Sequence, residues 1–69
     1  MWYVTYYGIG YPSGLGVLVT FDAVIVEKFL DDRLVTGFDS TQRTDPQHLR
    51  VRVYPDDWAT YVVTWESER

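Results

Sequence analysis

The residues of this 69-residue chain that could do chemistry are its single histidine and its paired aspartates. A general base needs an orienting partner and a nearby nucleophile or water site, and no spacing places either beside His48. Neither Asp31-Asp32 nor Asp56-Asp57 shows the alternating oxygen ligands around a glycine that a calcium loop requires. The sequence therefore predicts no catalytic residue, no metal site and no enzymatic activity.

A cluster of glycines between residues 8 and 16 is the second candidate for chemistry. Its members are Gly8, Gly10, Gly14 and Gly16. A phosphate-binding loop leads into a helix N-terminus, commonly with a lysine and a serine or threonine. Here residues 17–19 are Val-Leu-Val, which is typical of a strand, and no lysine is near. The cluster therefore predicts a flexible hairpin loop, and no cofactor is expected.

Composition predicts one domain, residues 1–69, that depends on apolar packing for its stability. Hydrophobic residues make up 46% of the chain and aromatic residues 17%, and there is no cysteine for a disulfide or a thiolate zinc site. The formal charge of −4 disfavours the phosphate-neutralising surface on which nucleic-acid binding rests. No run approaches the ~20 apolar residues of a membrane span, and the N-terminus lacks a secretory signal. We therefore expect a cytoplasmic protein without a membrane partner.

Segments near the two ends of the chain predict β-hairpins. In residues 49–65, apolar and polar positions alternate with a period of two on either side of Pro55-Asp56-Asp57, as in two strands joined by a turn. Residues 2–7 are β-branched and aromatic throughout, and residues 16–21 resume that character after the glycine-rich loop. Each pair of segments is expected to form an antiparallel hairpin.

The middle of the chain predicts a helix. Asp22 is a suitable N-cap, the helix would run from Ala23 to about Val35, and Gly37 would stop it. The packed face would comprise Val26, Phe29, Leu30 and Leu34. The consecutive β-branched residues 24–26 disfavour a helix, so strands in residues 22–35 stay an alternative.

The remaining segments predict loops. Residues 36–48 are polar and rich in turn formers, so we expect a connecting loop that includes His48 and in which Asp45-Pro46 could open one helical turn. Residues 66–69 predict a charged tail that frays.

This order of elements predicts an α+β fold, ββαββ, with one helix packed across a four-stranded sheet. Leu49, Val51 and Val53 would line the inner sheet face, and Arg50 and Arg52 would point to the outside. The alternative is a small all-β barrel.

The same order occurs in the immunoglobulin-binding domains of bacterial protein G, and two segments resemble that family. Asp22-Ala23 and Glu27-Lys28-Phe29 resemble the start of the family's helix, and residues 54–66 (YPDDWATYVVTWE) resemble its last hairpin. The similarity covers about half of the chain. It implies the ββαββ fold, and it places Glu27 and Lys28 on the face through which the family's helix contacts antibody.

The chain also departs from that family's pattern. It has no tryptophan between Leu49 and Tyr54 to match the family's contact residue in the third strand, and Asp31 stands where the family is basic. Antibody binding is therefore not among the implied properties.

We expect a small acidic protein-binding module. Such cysteine-free proteins are common among phage and mobile-element products that bind and inhibit a host protein. An open sheet face rich in tyrosine, tryptophan and arginine has the composition of an interface hot spot. The predicted partner-binding residues are Tyr11, Arg50, Arg52, Tyr54 and Trp58, the last at the tip of the second hairpin.

Three alternatives stay open. Single-stranded nucleic acid could stack on the exposed aromatic residues beside Arg50 and Arg52. Carboxylates could mimic nucleic acid. A protein partner could instead bind the helix face at Glu27, Lys28 and Asp31.

Overall fold

Two β-hairpins separated by one helix make up the computed structural model, which describes residues 1–53 and 57–67. The elements are β1 (Trp2–Gly8), β2 (Tyr11–Thr20), α1 (Ala23–Asp31), β3 (Gln47–Val53) and β4 (Asp57–Trp65). The strands form one open sheet in the order β2-β1-β4-β3, with every neighbouring pair antiparallel. The α+β, ββαββ prediction is confirmed, and the all-β alternative is wrong because residues 23–31 are helical.

The alternating side chains of the central strands build the core. Trp2 lies opposite Trp65 and Val4 opposite Val63, on the sheet face that α1 covers. From β3, Leu49 is buried and Val51 is half-buried on this face, as predicted, whereas Val53 is exposed at the strand's end. The buried core cluster comprises Trp2, Val4, Val26, Leu30, Val35, Leu49, Tyr61 and Val63. Burial of each large apolar side chain stabilises the fold by about 1.5–3 kcal/mol.

The first hairpin turns earlier than the sequence predicted. The glycine-rich loop was expected to last until residue 16, but β2 begins at Tyr11, and Gly8 pairs directly with Tyr11. Gly10 permits this tight turn because it adopts φ 87°, a region that residues with a Cβ rarely enter. Two register shifts in the β1–β2 ladder absorb the additional residues of β2.

The helix starts where the sequence predicted. The Asp22 carboxylate accepts a hydrogen bond from the Val24 N–H (2.9 Å), which satisfies one of the donors that a helix leaves unpaired at its first turn. The spacing of Val26, Phe29 and Leu30 places these side chains on one face, and all three pack into the core or against it.

The helix ends earlier than predicted, which corrects the assignment of Leu34 to the packed face. The Val35 N–H donates to the Leu30 carbonyl (2.9 Å) and the Leu34 N–H to the Asp31 carbonyl (3.0 Å), the two bonds of a Schellman motif. Leu34 takes the left-handed position of this motif (φ 60°) and is 82% exposed. Val35 turns inward instead and packs in the core with Leu30.

The segment between α1 and β3 is held by side-chain bonds. The Gln47 side chain accepts from the Asp39 N–H and donates to the Asp39 carbonyl, each at 2.8 Å. Bonds from the Thr41 hydroxyl and N–H lower the pKa of Asp39. Residues 45 and 46 form no helical turn, and β3 already begins at Gln47, so His48 lies in a strand and not in the predicted loop.

The predicted fraying of the C-terminal segment is wrong for its first residue. Met1 and Glu66 exchange two hydrogen bonds through the Met1 amino group and carbonyl and the backbone of Glu66 (2.8 and 3.0 Å). Residues 68–69, like the predicted turn residues Pro55 and Asp56, lie outside the described ranges.

A row of aromatic rings continues the inner face beyond the helix. Ring centroids are 6.2 Å apart between Phe29 and Tyr61, 5.2 Å between Tyr61 and Tyr6, and 6.1 Å between Tyr6 and Tyr11. Burial raises the pKa of the Tyr61 hydroxyl above its ordinary value of 10.0, against an opposing effect of the Arg33 charge. The neutral phenol is therefore the form that the folded state favours.

We expect Leu34→Gly to raise the free energy of unfolding by about 0.5–1 kcal/mol, because glycine enters the left-handed region without a Cβ clash and little packing is lost. Leu34→Ala is the matched control: it removes the same exposed side chain but keeps the Cβ, so it should bring no gain. Urea unfolding of both variants measures the difference. A gain of equal size in both would show that backbone strain is not the cause.

We expect stability to decline above about pH 10, because the unfolded state then loses the Tyr61 proton before the folded state does. Below that pH both states hold the proton and this contribution is complete. In urea unfolding from about pH 8 to about pH 11, Tyr61→Phe should show a smaller decline than the natural sequence. Parallel declines would contradict a role for Tyr61.

Candidate binding site on the open sheet face

The sheet face opposite α1, here called the open face, carries the side chains that alternate with the core residues. No described element packs over it. From the register, its members are Tyr3, Thr5 and Tyr7 in β1, His48, Arg50 and Arg52 in β3, and Trp58, Thr60, Val62 and Thr64 in β4. Threonine suits this position because its methyl group and branched Cβ favour a strand while its hydroxyl meets water.

A shallow groove of about 420 Å³ crosses one part of the open face. It is lined by Tyr7, Pro46, His48, Thr60, Val62 and Thr64. The hydroxyl groups can donate and accept hydrogen bonds, and Val62 and Pro46 offer apolar contact. This described lining holds His48 but no carboxylate that could orient it as a general base. The groove has the chemistry of a contact surface.

Arg50, Arg52 and Trp58, here called the Arg–Trp cluster, lie beside this groove. The guanidinium carbon of Arg50 is 4.6 Å from the Trp58 ring centroid, and that of Arg52 is 5.7 Å away. Such cation–π contacts contribute about 0.5–1 kcal/mol each at exposed sites. Trp58 is 49% exposed. About half of its surface therefore faces the solvent, next to the positive charges of Arg50 and Arg52.

The charges of the protein are divided between its two faces. Every acidic residue described by the structure lies on the helix, in the connecting segments, or at a strand end or terminus; none lies on the open face. The open face instead carries Arg50 and Arg52. Among the described residues, the open face around the Arg–Trp cluster therefore carries two arginines and no carboxylate, although the whole chain has a formal charge of −4.

The structure brings together three of the five residues predicted to bind a partner. Arg50, Arg52 and Trp58 share the open face. Trp58 is not at a hairpin tip, because it lies within β4 opposite Arg52. Tyr11 was predicted in the glycine-rich loop beside this face; instead it begins β2, and its pairing with Gly8 places it on the helix side, where its ring contacts Tyr6. Tyr54 lies outside the described residues.

The groove contains residues that the sequence interpretation did not assign to the site. The alternation of Thr60, Val62 and Thr64 along β4 was a usable signal, since every second residue of a half-buried strand shares the solvent face. The proximity of Tyr7 to His48 and Pro46 could not be predicted from the sequence, because it depends on β4 lying between β1 and β3.

Gly14 determines how Tyr7 lies on the open face. A Cβ at Gly14 would be 2.6 Å from Cε2 of Tyr7, so the tyrosine ring packs against β2 at a position where no side chain stands. Gly14 also adopts φ 90° at the register shift of the strand. The glycine thus serves both the bulge and the aromatic surface.

We expect Gly14→Ala to lower the free energy of unfolding by about 1–3 kcal/mol or more, through backbone strain and the clash with Tyr7. Gly10→Ala is a matched control, because Gly10 has a similar φ of 87° but no heavy atom within 4 Å of the added Cβ. The difference in thermal unfolding between the two variants measures the cost of the contacts with Tyr7 and with the Thr5 methyl group, which would lie 3.0 Å from the added Cβ. Equal losses would show that the ring can move aside at no cost.

Comparison with known proteins found no matching family model, curated protein or solved structure. Within residues 1–53 and 57–67, no helix is long and apolar enough to cross a membrane. The same residues contain no group of three or more potential metal ligands. The inference of function therefore rests on the open face itself.

Proposed function

We propose that this protein is a non-enzymatic protein-binding module that uses its open face in the cytoplasm. The observation that carries the proposal is the Arg–Trp cluster, a half-exposed indole within cation–π distance of two arginines, beside a groove on the open face. Tryptophan, tyrosine and arginine dominate the energetics of protein interfaces because they offer large contact areas and charge-assisted hydrogen bonds. The phage or mobile-element inhibitor role predicted from composition is one form that this binding could take.

The rigidity of the site supports the same proposal. All its aromatic and cationic side chains stand on paired strands, so little backbone entropy is lost when a partner binds. The groove beside the cluster offers hydroxyl groups for the polar rim of an interface.

The helix surface is the competing site. Glu27, Lys28 and Asp31 are exposed there, and Val24 and Ile25 add exposed apolar area beside them. This surface would be favoured if the resemblance to the protein G domains extended to function. It lacks an aromatic anchor held by cations, and we therefore place it second.

We expect Arg52→Ala and Trp58→Ala each to weaken partner binding by about 1–3 kcal/mol, and to lower the free energy of unfolding only by about 0.5–1 kcal/mol for each lost cation–π contact. Lys28→Ala and Asp31→Ala are the controls on the opposite side and should bind as the natural sequence does. Binding is measured by titrating each variant against the partner that the natural protein captures from a host lysate. Loss in the helix variants alone would assign the interface to α1.

Single-stranded nucleic acid is a second candidate, favoured by the same half-exposed indole, on which a base could stack, and by the two arginines near it. A labelled single strand titrated at low salt separates the two classes. Binding that weakens steeply with salt and is lost in Arg52→Ala would favour nucleic acid. The absence of such binding would leave the protein partner as the proposal.

A further inference from the structure

The two edges of the sheet differ in how easily they could pair with another strand. At one edge, β2 contains Pro12, which has no N–H to donate, and its ladder with β1 has two register shifts. These features are common protections against unwanted pairing. At the other edge, β3 has seven residues without proline or glycine and pairs with β4 in unbroken register.

The outer side of β3 is an uncovered row of backbone donors and acceptors. In a strand, the N–H and C=O groups point alternately to the two sides, and β3 has a neighbour only on the β4 side. Among the described residues, no backbone-to-backbone hydrogen bond joins β3 to the segment that precedes it, and that segment bonds to β3 through the side chain of Gln47 alone. From His48 onward no described hydrogen bond occupies the outer side of β3, so an added strand can pair there.

The side chains of this edge determine which strand can be added. Arg50 and Arg52 project from β3 onto the open face, and Leu49 and Val51 project to the opposite side. Among described residues, no carboxylate forms an ion pair with Arg50, whose described contact is with Trp58. Arg50 can therefore meet a carboxylate on a neighbouring strand without giving up an internal ion pair.

A second copy of this chain is a poor match for the edge. Antiparallel pairing of two β3 strands would place the arginines of one copy beside those of the other, at the ~5 Å distance of cross-strand neighbours. Like charges at that distance are destabilising. An extended segment with acidic residues at every second position would instead place its carboxylates beside Arg50 and Arg52.

We propose that β3 accepts an extended acidic segment of the partner protein as a fifth strand. The segment would have carboxylates toward the open face and apolar residues toward Leu49 and Val51. Backbone hydrogen bonds to the outer side of β3 would provide affinity, and the arginines would select for acidic residues. This inference rests on the proposed protein-binding function and names the partner's chemistry and its mode of binding.

The test uses a seven-residue peptide, capped at both ends, in which glutamate and valine alternate, matching the length of β3. We expect it to bind the full chain, to protect the outward-facing amides of β3 from hydrogen exchange, and to bind at least tenfold more weakly when lysine replaces glutamate. In Arg50→Glu the preference for the glutamate peptide should be lost, because one glutamate and one arginine of β3 then face the added strand. Arg50→Gln, a milder change, should simply weaken binding of the glutamate peptide.

Two N-methylated forms of the glutamate peptide test strand addition itself. In one form the valine nitrogens are methylated and in the other the glutamate nitrogens, so charge and composition are closely matched. Only one set of nitrogens can face β3 in an added strand, and we therefore expect one form to bind and the other not. Equal affinities of the two forms, strong or weak, would overturn strand addition.

The outcomes also separate this inference from the function on which it rests. If both N-methylated forms bind well, the open face binds acidic groups without strand addition, and the proposed function stands alone. If no peptide binds, the strand inference is wrong, while the captured partner and the Arg52→Ala and Trp58→Ala variants decide the function independently. A concentration-dependent dimer that protects the same β3 amides would identify a second copy as the occupant and overturn the proposal.

Discussion

The single helix is too small to cover even one face of the four-stranded sheet, and the arrangement of the other side chains follows from this constraint. A nine-residue helix is about 13 Å long, whereas a ten-residue strand such as β2 extends about 33 Å. The helix therefore covers one part of one sheet face. The sequence compensates on that face with large rings, because the row from Phe29 to Tyr11 shields the sheet beyond the helix.

On the other face no element of residues 1–53 and 57–67 takes the place of a helix, and the side chains there must themselves tolerate water. Threonine and tyrosine satisfy both requirements, since each covers a strand with apolar atoms and ends in a hydroxyl group. These threonine and tyrosine side chains give the open face hydroxyl groups at its surface, and the paired strands of the sheet support them. A face that needs no cover in the free protein is also one that a partner can cover without prior rearrangement.

The sequence predicted the structure correctly where a repeating side-chain pattern defines an element. It failed where the backbone conformation of a single residue determines where an element begins or ends. The period of two in residues 49–53 correctly separated Leu49 from Arg50, and Asp22 correctly marked the start of the helix. The end of the helix was missed because Leu34 occupies a left-handed position that glycine usually takes. Tyr11 was predicted in a loop, and not in β2, because the tight turn that lets the second strand begin so early depends on the backbone conformation of Gly10.

Part of the candidate site was likewise predictable from the sequence and part was not. The position of the two arginines on the open face was predictable, because the alternating pattern of β3 was. That Trp58 lies on the same face became clear only from the structure, in which β4 includes Trp58 opposite Arg52. The groove was not predictable, since it requires β1 and β3 to lie on either side of β4. Strand order depends on how the two hairpins dock, and no local pattern in either hairpin encodes that choice.

The mutual hydrogen bonds of Met1 and Glu66 have a consequence for how the chain can be assembled. They join residues 65 positions apart at the end of the two central strands, so the most distant parts of the sequence form the middle of the sheet. Pairings of such long range slow folding, because closing so long a loop costs conformational entropy before the contacts stabilise the chain. A short linker from Glu66 to Met1 would turn β4 and β1 into a local hairpin, and in a circular permutant opened at Ile9 the pairing of β1 with β2 would become the long-range step.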